Sequence, residues 1–362
     1  MVDDDEMGWS GGDGSAGTNA DPEPTRIETR PRVELAMFPD LPPRLLPPPI
    51  VERLRAVAEI DLSDPLIDFH SAGSLDRLRA ADILLTSWGS PRLDSASLAH
   101  APRLRAVVHA AGTVKGHLSL DVFDRGIPVS SAADANAIPV AEYTLAMILL
   151  AGKAVPALAR EYRATRADLN LPRRNLTIGN YHRTVGLLGA SKIGRRVLTL
   201  LKPFDFTVLL SDPYVDAATA KDLGATLVTL DDLFATCDIV SIHAPATEET
   251  RALVTARLLA SMPDGATVIN TARGSLVDEP ALLAELLTGR LSAVLDVTDP
   301  EIPPPNSPLW DLPNVVLTPH VAGALGNELH RLGESAADEV TRALAGQPLK
   351  HPVDPTVLAI TA

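Results

Sequence analysis

The sequence predicts an α/β protein built on doubly wound parallel sheets, and three observations support this. Short apolar runs of strand length alternate with helical segments along most of the chain. A glycine-containing turn joins one such strand to a helix within residues 184–201. Strand-length runs then recur regularly up to residue 317. Alternation of this kind is typical of parallel sheets whose faces are covered by helices.

Before the glycine turn the pattern predicts a first set of elements. The strands are expected at residues 33–38, 81–86, 104–109 and 127–130, and the helices at residues 49–57 and from residue 140 to about residue 151.

The glycine turn itself belongs to a strand, turn, helix, strand and acid sequence at residues 184–212. Gly189 allows the tight turn, and Gly194 lets the helix lie close to the sheet. The N-terminus of that helix, with Lys192 and Ile193 in its first turn, would face a pyrophosphate. Asp212 ends the second strand, where an acid accepts hydrogen bonds from ribose hydroxyls. The unit therefore predicts a dinucleotide site.

Two details refine this prediction. The middle glycine of the G-x-G-x-x-G pattern is replaced by Ser191, a small residue whose hydroxyl could donate to a phosphate oxygen. Pro213, Tyr214 and Val215 follow Asp212, so no cation is close in sequence to offset a 2′-phosphate. We therefore expect NAD rather than NADP.

From the glycine unit onward the strands predict a Rossmann-type domain. They are expected at residues 185–188, 206–210, 239–242, 267–270, 292–296 and 315–317.

An amphipathic helix at residues 328–345 would return the chain to the first domain. We therefore expect a discontinuous, flavodoxin-like α/β substrate domain made of residues 33–113 and 324–352. Residues 114–323 would form the NAD-binding domain. Residues 1–32, rich in Gly, Asp, Ser and Pro, are predicted to be a disordered acidic tail.

Charge and composition exclude several classes of protein. With 32 basic and 46 acidic residues the net charge is −14, which disfavours nucleic acid as a partner. No apolar stretch approaches the roughly 20 residues of a membrane helix, and residues 140–151 include Glu142, so we expect no membrane association. The single cysteine, Cys237, predicts neither a disulfide framework nor a cysteine-based zinc site. We expect no metal and a cytoplasmic location.

Four further segments follow predicted strands on the cofactor side. They read DIVSIHAPAT (residues 238–247), VINTARGSLVDE (268–279), LDVTDPE (295–301) and VVLTPHVAG (315–323). Together with the glycine unit, and in the same order, they resemble the D-isomer-specific 2-hydroxyacid dehydrogenase family. The resemblance covers roughly residues 80–345, and the NTARG and TPH segments are its specific part.

The resemblance implies a catalytic set. Arg273 matches the arginine that holds the substrate carboxylate and carbonyl, a task that suits a permanently charged guanidinium fork. His320 matches the general acid and base, and Glu301 the acid that pairs with it. Imidazoles titrate near neutrality, and a neighbouring carboxylate favours their charged form.

It also implies a cofactor lining. Asp296 matches an aspartate that accepts a hydrogen bond from the nicotinamide amide, although an acid capping a strand end is the alternative. His243 matches a family position, and we expect it to pack beside the adenine or ribose. The remaining positions implied to line the cofactor are Ala244, Pro245, Thr247, Thr271, Ala272, Arg273, His320 and Gly323.

The substrate loop departs from the family pattern. The family commonly has a glycine-rich G-x-G-x-D loop, and this chain reads HAAGTVKGHL at residues 109–118. Gly112 and Thr113 would contact substrate. Lys115 either points to solvent or engages a second anionic group of the substrate. Trp88 either walls the substrate pocket or lies at a dimer interface.

The sequence therefore predicts an NAD-dependent oxidoreductase that interconverts a D-2-hydroxy acid and its 2-oxo acid. Its two domains would close over the substrate at hinges near Gly112 and Ala322. The resemblance implies a homodimer, with helix 140–151 at its interface. Two alternatives stay open: phosphite dehydrogenase, and an NAD(H)-sensing corepressor-like protein on the same fold. The particular 2-hydroxy acid and the physiological direction do not follow from the residues.

Overall fold

The computed structural model describes residues 30–174 and 177–358. The predicted acidic tail lies outside the described residues, except for its last positions. The described strands are β1 (Arg32–Ala36), β2 (Glu59–Ile60), β3 (Ile83–Thr86), β4 (Ala106–His109), β5 (Val129–Ser131), β6 (Thr184–Leu188), β7 (Thr207–Ser211), β8 (Thr226–Leu227), β9 (Ile239–Ile242), β10 (Thr267–Asn270), β11 (Ser292–Leu295) and β12 (Val315–Leu317).

The α-helices in the same residues cover the faces of two sheets. They are α1 (Pro42–Leu45), α2 (Pro48–Val57), α3 (Ala72–Ala80), α4 (Ser95–Leu98), α5 (Asp121–Asp124), α6 (Ala133–Gly152), α7 (Val155–Thr165), α8 (Lys192–Leu201), α9 (Ala217–Asp222), α10 (Leu230–Thr236), α11 (Ala256–Ser261), α12 (Glu279–Leu287) and α13 (Leu329–Leu344).

The first sheet is parallel and has the order β2-β1-β3-β4-β5. This is the flavodoxin-like order, and it confirms the predicted class. Strand β5 falls within the segment that we assigned to the NAD-binding domain, yet it pairs with β4. The first sheet therefore continues to Ser131, beyond the boundary expected at residue 113. The domain limits as a whole stay a prediction.

The second sheet is also parallel, with the order β12-β11-β10-β9-β6-β7-β8. Strand β6 lies where the strand order reverses, as in doubly wound nucleotide-binding folds. Six of its seven strands match the predicted runs. The seventh, β8, has only two residues, too few for a period-2 pattern to be recognised.

Helix α6 is longer than predicted, because it begins at Ala133 and contains Pro139. A proline inside a helical pattern usually marks a boundary, which is why the sequence placed the start at residue 140. With 20 residues, α6 is long and apolar enough by composition alone to cross a membrane. It nevertheless packs against α8, and Ala141 and Ile148 are part of a buried core.

The last helix, α13, returns to the first sheet as expected. Its apolar face, including Leu332 and Val340, shares a core with Val33 and Leu35 of β1. Before α13 begins, the chain passes Asn136 of α6, whose Oδ1 accepts the Ala324 amide at 2.9 Å. A β-carbon on Gly112 or on Gly323 would also touch the Asn136 side chain. Asn136 thus contacts both chain segments in which a hinge is predicted, the one near Gly112 and the one near Ala322.

Candidate active site

Three neighbouring strands deliver the predicted catalytic residues to one edge of the second sheet. Arg273 follows β10, Glu301 follows β11 and His320 follows β12. These strands are adjacent in the order β12-β11-β10. Because parallel strands end at the same edge, residues far apart in sequence meet there, in the crevice where such sheets bind ligands.

His320 and Glu301 are in direct contact. The Nδ1 atom of His320 lies 2.5 Å from Oε1 of Glu301. Both side chains are about half exposed, at 50% and 56%. The pairing occupies Nδ1, and it leaves Nε2 as the nitrogen available to a ligand. A carboxylate that accepts Nδ1–H fixes the orientation of the imidazole ring.

The main chain at His320 has a left-handed conformation, with φ of 54°. Asp296, which is buried with 1% exposure, holds this turn. Its carbonyl accepts the His320 amide at 3.0 Å. Its carboxylate accepts the amides of Val321 at 2.8 Å and Ala322 at 2.9 Å. Asp296 therefore does more than end a strand: it fixes the segment that presents His320.

Two residues beside Asp296 were not foreseen. The Thr318 hydroxyl donates to Asp296 Oδ1 at 2.6 Å, and the Tyr143 hydroxyl lies 2.8 Å from Thr318 Oγ1. Thr318 belongs to the TPH segment, so its place next to His320 could be recognised from the sequence. Tyr143 lies on α6, and nothing in its local sequence indicates a link to residue 318.

Arg273 presents its guanidinium to solvent at the same edge. Asn270 holds its backbone: the side-chain Nδ2 donates to the Arg273 carbonyl at 2.8 Å, and Oδ1 accepts the Ala272 amide at 3.0 Å. The Arg273 Nη1 donates to the Ala272 carbonyl at 2.6 Å. Within the described residues Arg273 forms no ion pair with an acid, so its charge is available to an anionic ligand.

Gly274 brings the arginine loop against the glutamate loop. A β-carbon at Gly274 would lie 2.0 Å from the carbonyl carbon of Thr298. The Thr298 hydroxyl donates to the carbonyls of Pro300 at 2.7 Å and Glu301 at 3.0 Å. This close approach explains why a glycine follows Arg273, and it fixes where the Glu301 backbone lies relative to Arg273.

Lys115, from the loop after β4, lies near this cluster. Burial lowers the pKa of the Lys115 ammonium, and the positive charge of Arg273 lowers it further. Its amide donates to the Thr113 hydroxyl at 3.3 Å. The two positive charges therefore interact unfavourably, and an anion bound beside both would offset this repulsion.

Two histidines of the same segment, His109 and His117, contact each other through their rings. His109 is buried, and its Nδ1 lies 2.8 Å from the Thr86 hydroxyl. Its ring stacks on His117 with centroids 4.9 Å apart, and His117 Nδ1 lies 3.0 Å from the Ser90 carbonyl. Burial, together with the charge of His117, lowers the pKa of His109 to about 3. The contact between the two rings therefore links the two ends of the substrate loop.

Trp88 is partly buried against the core of the first sheet. Its carbonyl accepts the Phe38 amide at 2.8 Å, which joins the ends of β1 and β3. Trp88 is therefore part of the first sheet's packing, at the edge from which the substrate loop leaves.

The glycine turn has the geometry of a nucleotide cradle. Gly189 has φ of 100°, and a β-carbon there would lie 2.7 Å from the Ala244 amide. A β-carbon at Gly194 would lie 2.2 Å from the Gly189 carbonyl. Ser191 is the N-cap of α8, and its hydroxyl accepts the Gly194 amide at 3.4 Å. Its hydroxyl hydrogen remains available to a phosphate.

Asp212 closes the other side of the cradle. Its carboxylate accepts the amides of Ala190 at 2.7 Å and Tyr214 at 2.8 Å. Among the described residues it makes no ion pair. Lys192 has its ammonium 2.6 Å from Asp134, so its side chain is turned towards α6, whereas its backbone stays in the first turn of α8. These residues fit a dinucleotide with free ribose hydroxyls.

His243 lies below the glycine turn. It is 3% exposed, and its Nε2 lies 2.9 Å from the Ser241 hydroxyl. Burial lowers the pKa of His243 to about 3, so the ring is neutral. This environment agrees with a packing role and leaves little surface for direct contact with a cofactor.

The other positions expected to line the cofactor lie in ordered loops at the same edge. Thr250 fixes the loop after β9, because its hydroxyl accepts the Thr247 amide at 2.8 Å and donates to the Pro245 carbonyl at 2.7 Å. The Thr271 hydroxyl is buried 3.1 Å from that of Thr144 on α6. Ala244 is also buried, whereas Ala272 is partly buried next to the exposed Arg273.

The comparisons with known proteins agree with this geometry. Residues 145–322 match the family model described as "D-isomer specific 2-hydroxyacid dehydrogenase, NAD binding domain". The chain is 31% identical over 319 residues to glyoxylate/hydroxypyruvate reductase B of Yersinia enterocolitica, covering 86% of this chain and 96% of that protein. The chain belongs to the D-isomer-specific 2-hydroxyacid dehydrogenase family. The NAD-binding domain model covers residues 145–322, and NAD is the cofactor.

Two further relatives extend the comparison. D-3-phosphoglycerate dehydrogenase of Mycobacterium tuberculosis is 36% identical over 272 residues, which are 74% of this chain and 50% of that protein. The chain thus spans about half the length of the phosphoglycerate dehydrogenases that it matches. The crystal structure of the TT0316 protein from Thermus thermophilus superposes with a TM-score of 0.72 at 30% identity, covering 89% of this chain and all of that one.

Proposed function

We propose that the protein is an NAD-dependent dehydrogenase that interconverts a D-2-hydroxy acid and its 2-oxo acid. The observation that carries the proposal is the 2.5 Å contact between His320 Nδ1 and Glu301 Oε1 at the strand edge that also bears Arg273. The reaction requires of the protein an acid–base group, a carboxylate that pairs with it, and a guanidinium whose charge can hold the substrate carboxylate.

Each side chain has a defined task in this proposal. When bound, NAD(H) supplies or accepts the hydride. Arg273 holds the substrate carboxylate. In reduction the His320 imidazolium gives its Nε2 proton to the carbonyl oxygen, and in oxidation the neutral ring takes the hydroxyl proton. Glu301 accepts Nδ1–H, so it orients the ring and stabilises its charged form.

We infer that the substrate carries a second anionic group. The support is the charge interaction between Lys115 and Arg273, since two interacting cations suit a dianion better than a monocarboxylate. A relative that is named for phosphoglycerate agrees with this inference. Phosphite, a small dianion, suits the same pair of charges and remains the alternative substrate.

The experiment that tests the function is a steady-state assay with a panel of monoanionic and dianionic 2-oxo acids, run with NADH and with NADPH. Phosphite with NAD is included in the panel. Turnover faster than about 1 s⁻¹ with NADH and at least one 2-oxo acid supports the dehydrogenase. NADH binding without turnover of any panel member supports the corepressor-like alternative.

We also propose that the protein is a homodimer. Helix α7 is attached to the second sheet, because Arg160 donates to the carbonyls of Leu312 and Val315. Even so, α7 has no buried residue in the single chain, and Tyr162 is 61% exposed. Light scattering should give twice the 38.3 kDa of one chain, and Tyr162→Glu should lower that mass. A cytoplasmic location stays a proposal, supported by the single free cysteine.

A further inference from the structure

A directional chain of hydrogen bonds runs from α6 to the catalytic turn. Thr318 has one hydroxyl hydrogen, and it is donated to the Asp296 carboxylate at 2.6 Å, because an ionised carboxylate only accepts. The Tyr143 hydroxyl, 2.8 Å from Thr318 Oγ1, must then be the donor to Thr318. The order is Tyr143 to Thr318 to Asp296.

The receiving carboxylate is the group that shapes the turn around His320. Asp296 Oδ1 accepts both the Thr318 hydroxyl and the Val321 amide, and Oδ2 accepts the Ala322 amide. The amides belong to the two residues that directly follow His320. Since His320 has a positive φ, which non-glycine residues adopt only when the surroundings impose it, the turn depends on these bonds.

The same helix also fastens the loop that bears Arg273. Thr144, next to Tyr143, has its hydroxyl 3.1 Å from that of Thr271, two residues before Arg273. Both hydroxyls are buried. One turn of α6 therefore contacts both loops that carry the proposed chemistry.

We propose that Tyr143 is a positioning residue, whose hydroxyl acts through Thr318 and Asp296 to hold His320 in register with Glu301. The inference rests on the proposed function only in that His320 is taken as the acid–base group. Tyr143 is not expected to touch substrate or cofactor.

The protonation state of Tyr143 agrees with a donor role. Burial raises the pKa of the Tyr143 phenol, the hydrogen bond with Thr318 lowers it, and the negative charge of Asp296 raises it, so that the net shift is upward. The Tyr143 hydroxyl therefore stays protonated at neutral pH, which it must be in order to donate to Thr318.

Tyr143→Phe removes the hydroxyl and keeps the ring. We expect kcat for the best 2-oxo acid to fall by roughly 10-fold, since a small misplacement of a catalytic group lowers the rate steeply. KM and the dissociation constant of NADH should change by less than about 3-fold, because neither ligand loses a contact. The control is Tyr181→Phe, at a tyrosine that is 76% exposed and whose ring contacts that of His182.

Thr318 offers a second, independent pair of variants. Thr318→Ser keeps the hydroxyl and should retain most of kcat, whereas Thr318→Val keeps the shape and should lose at least as much as Tyr143→Phe. A general loss of folding would affect Ser and Val alike, and thermal melting of each variant checks for it. If Thr318→Ser and Thr318→Val had equal kcat values, the proposal would be overturned.

A readout that needs no turnover separates this inference from the proposed function. In protein labelled with ¹³C at histidine Cε1, the His320 resonance is assigned by its loss in His320→Asn. Tyr143→Phe should shift or broaden this resonance and leave that of His100, a partly exposed residue after α4, unchanged. An unmoved His320 resonance overturns the positioning role. A moved resonance in a protein that turns over no 2-oxo acid supports the positioning role and refutes the proposed function.

Discussion

Gly274 lies directly against Thr298, so closely that a β-carbon at residue 274 would be 2.0 Å from the Thr298 carbonyl carbon. Thr298 in turn bonds the carbonyls of Pro300 and Glu301 through its hydroxyl. The contact therefore ties the loop of Arg273 to the loop of Glu301. Steric fit between two backbones, and not an ionic contact, sets the distance between these two charged residues.

The variant Gly274→Ala tests this fit. The extra methyl must push the loops apart, so we expect a loss of about 1–3 kcal/mol in the free energy of unfolding and a fall of roughly 100-fold in kcat/KM. Urea denaturation and steady-state kinetics measure the two effects. The control is Gly73→Ala on α3, where a β-carbon meets nothing within 4 Å. Full activity of Gly274→Ala would show that the loops are not tied at this point.

The fold was largely predictable because its signals are local. Strand-length apolar runs such as residues 239–242 and 267–270 match β9 and β10 to the residue. Two of the differences from the expected elements have physical reasons. Pro139 hid the first two turns of α6, and β5 was assigned by sequence position to the second domain although it pairs with β4.

The Glu301→Gln variant tests the acid–base pair. Glutamine keeps the size of the side chain but removes the carboxylate that contacts Nδ1 of His320, so the ring should be less firmly oriented. In the reductive direction, kcat/KM should fall by roughly 100-fold, whereas the dissociation constant of NADH should keep its wild-type value.

A neighbouring acid provides the control for this variant. Asp299 lies two residues before Glu301, and its carboxylate faces Arg251 at 3.5 Å. Asp299→Asn should keep the wild-type kcat/KM. If Glu301→Gln keeps the wild-type kcat/KM as well, Glu301 does not act on His320.

Lys115→Met tests the second anionic group of the substrate. KM should rise by at least roughly 10-fold for dianionic 2-oxo acids, as expected for loss of a charged contact, and by much less for monoanionic ones. Lys221→Met, at an exposed lysine of α9, is the control. An equal change in KM for both substrate classes would contradict the inference.

His109 should make the folded state sensitive to acid. Its pKa is lowered to about 3 by burial, so below the ordinary value of 6.5 the unfolded chain binds a proton that the folded protein does not. Between pH 7 and pH 5 this should remove about 2 kcal/mol of stability. Denaturant titration of His109→Asn should show a correspondingly weaker pH dependence, and exposed His330→Asn an unchanged one. If the stability of His109→Asn depended on pH as steeply as that of the wild type, the prediction would be wrong.

The site was only partly predictable from the sequence. Arg273, Glu301 and His320 stand in recognisable segments, and the strand order explains why they meet. Tyr143 could not be foreseen, because its link to Thr318 spans 175 positions and depends on how α6 packs. Lys192 was expected at the cofactor, but its ammonium pairs with Asp134, a contact that no local pattern indicates.

The most direct test of the account is the effect of His320→Asn on turnover and on NADH binding, measured in the same preparation. We predict that the wild type reduces a 2-oxo acid with NADH faster than about 1 s⁻¹. The variant should lose roughly 1,000-fold in kcat and keep the wild-type dissociation constant for NADH. A variant that turns over at the wild-type rate would contradict the central claim, as would a wild type that binds NADH and reduces none of the acids.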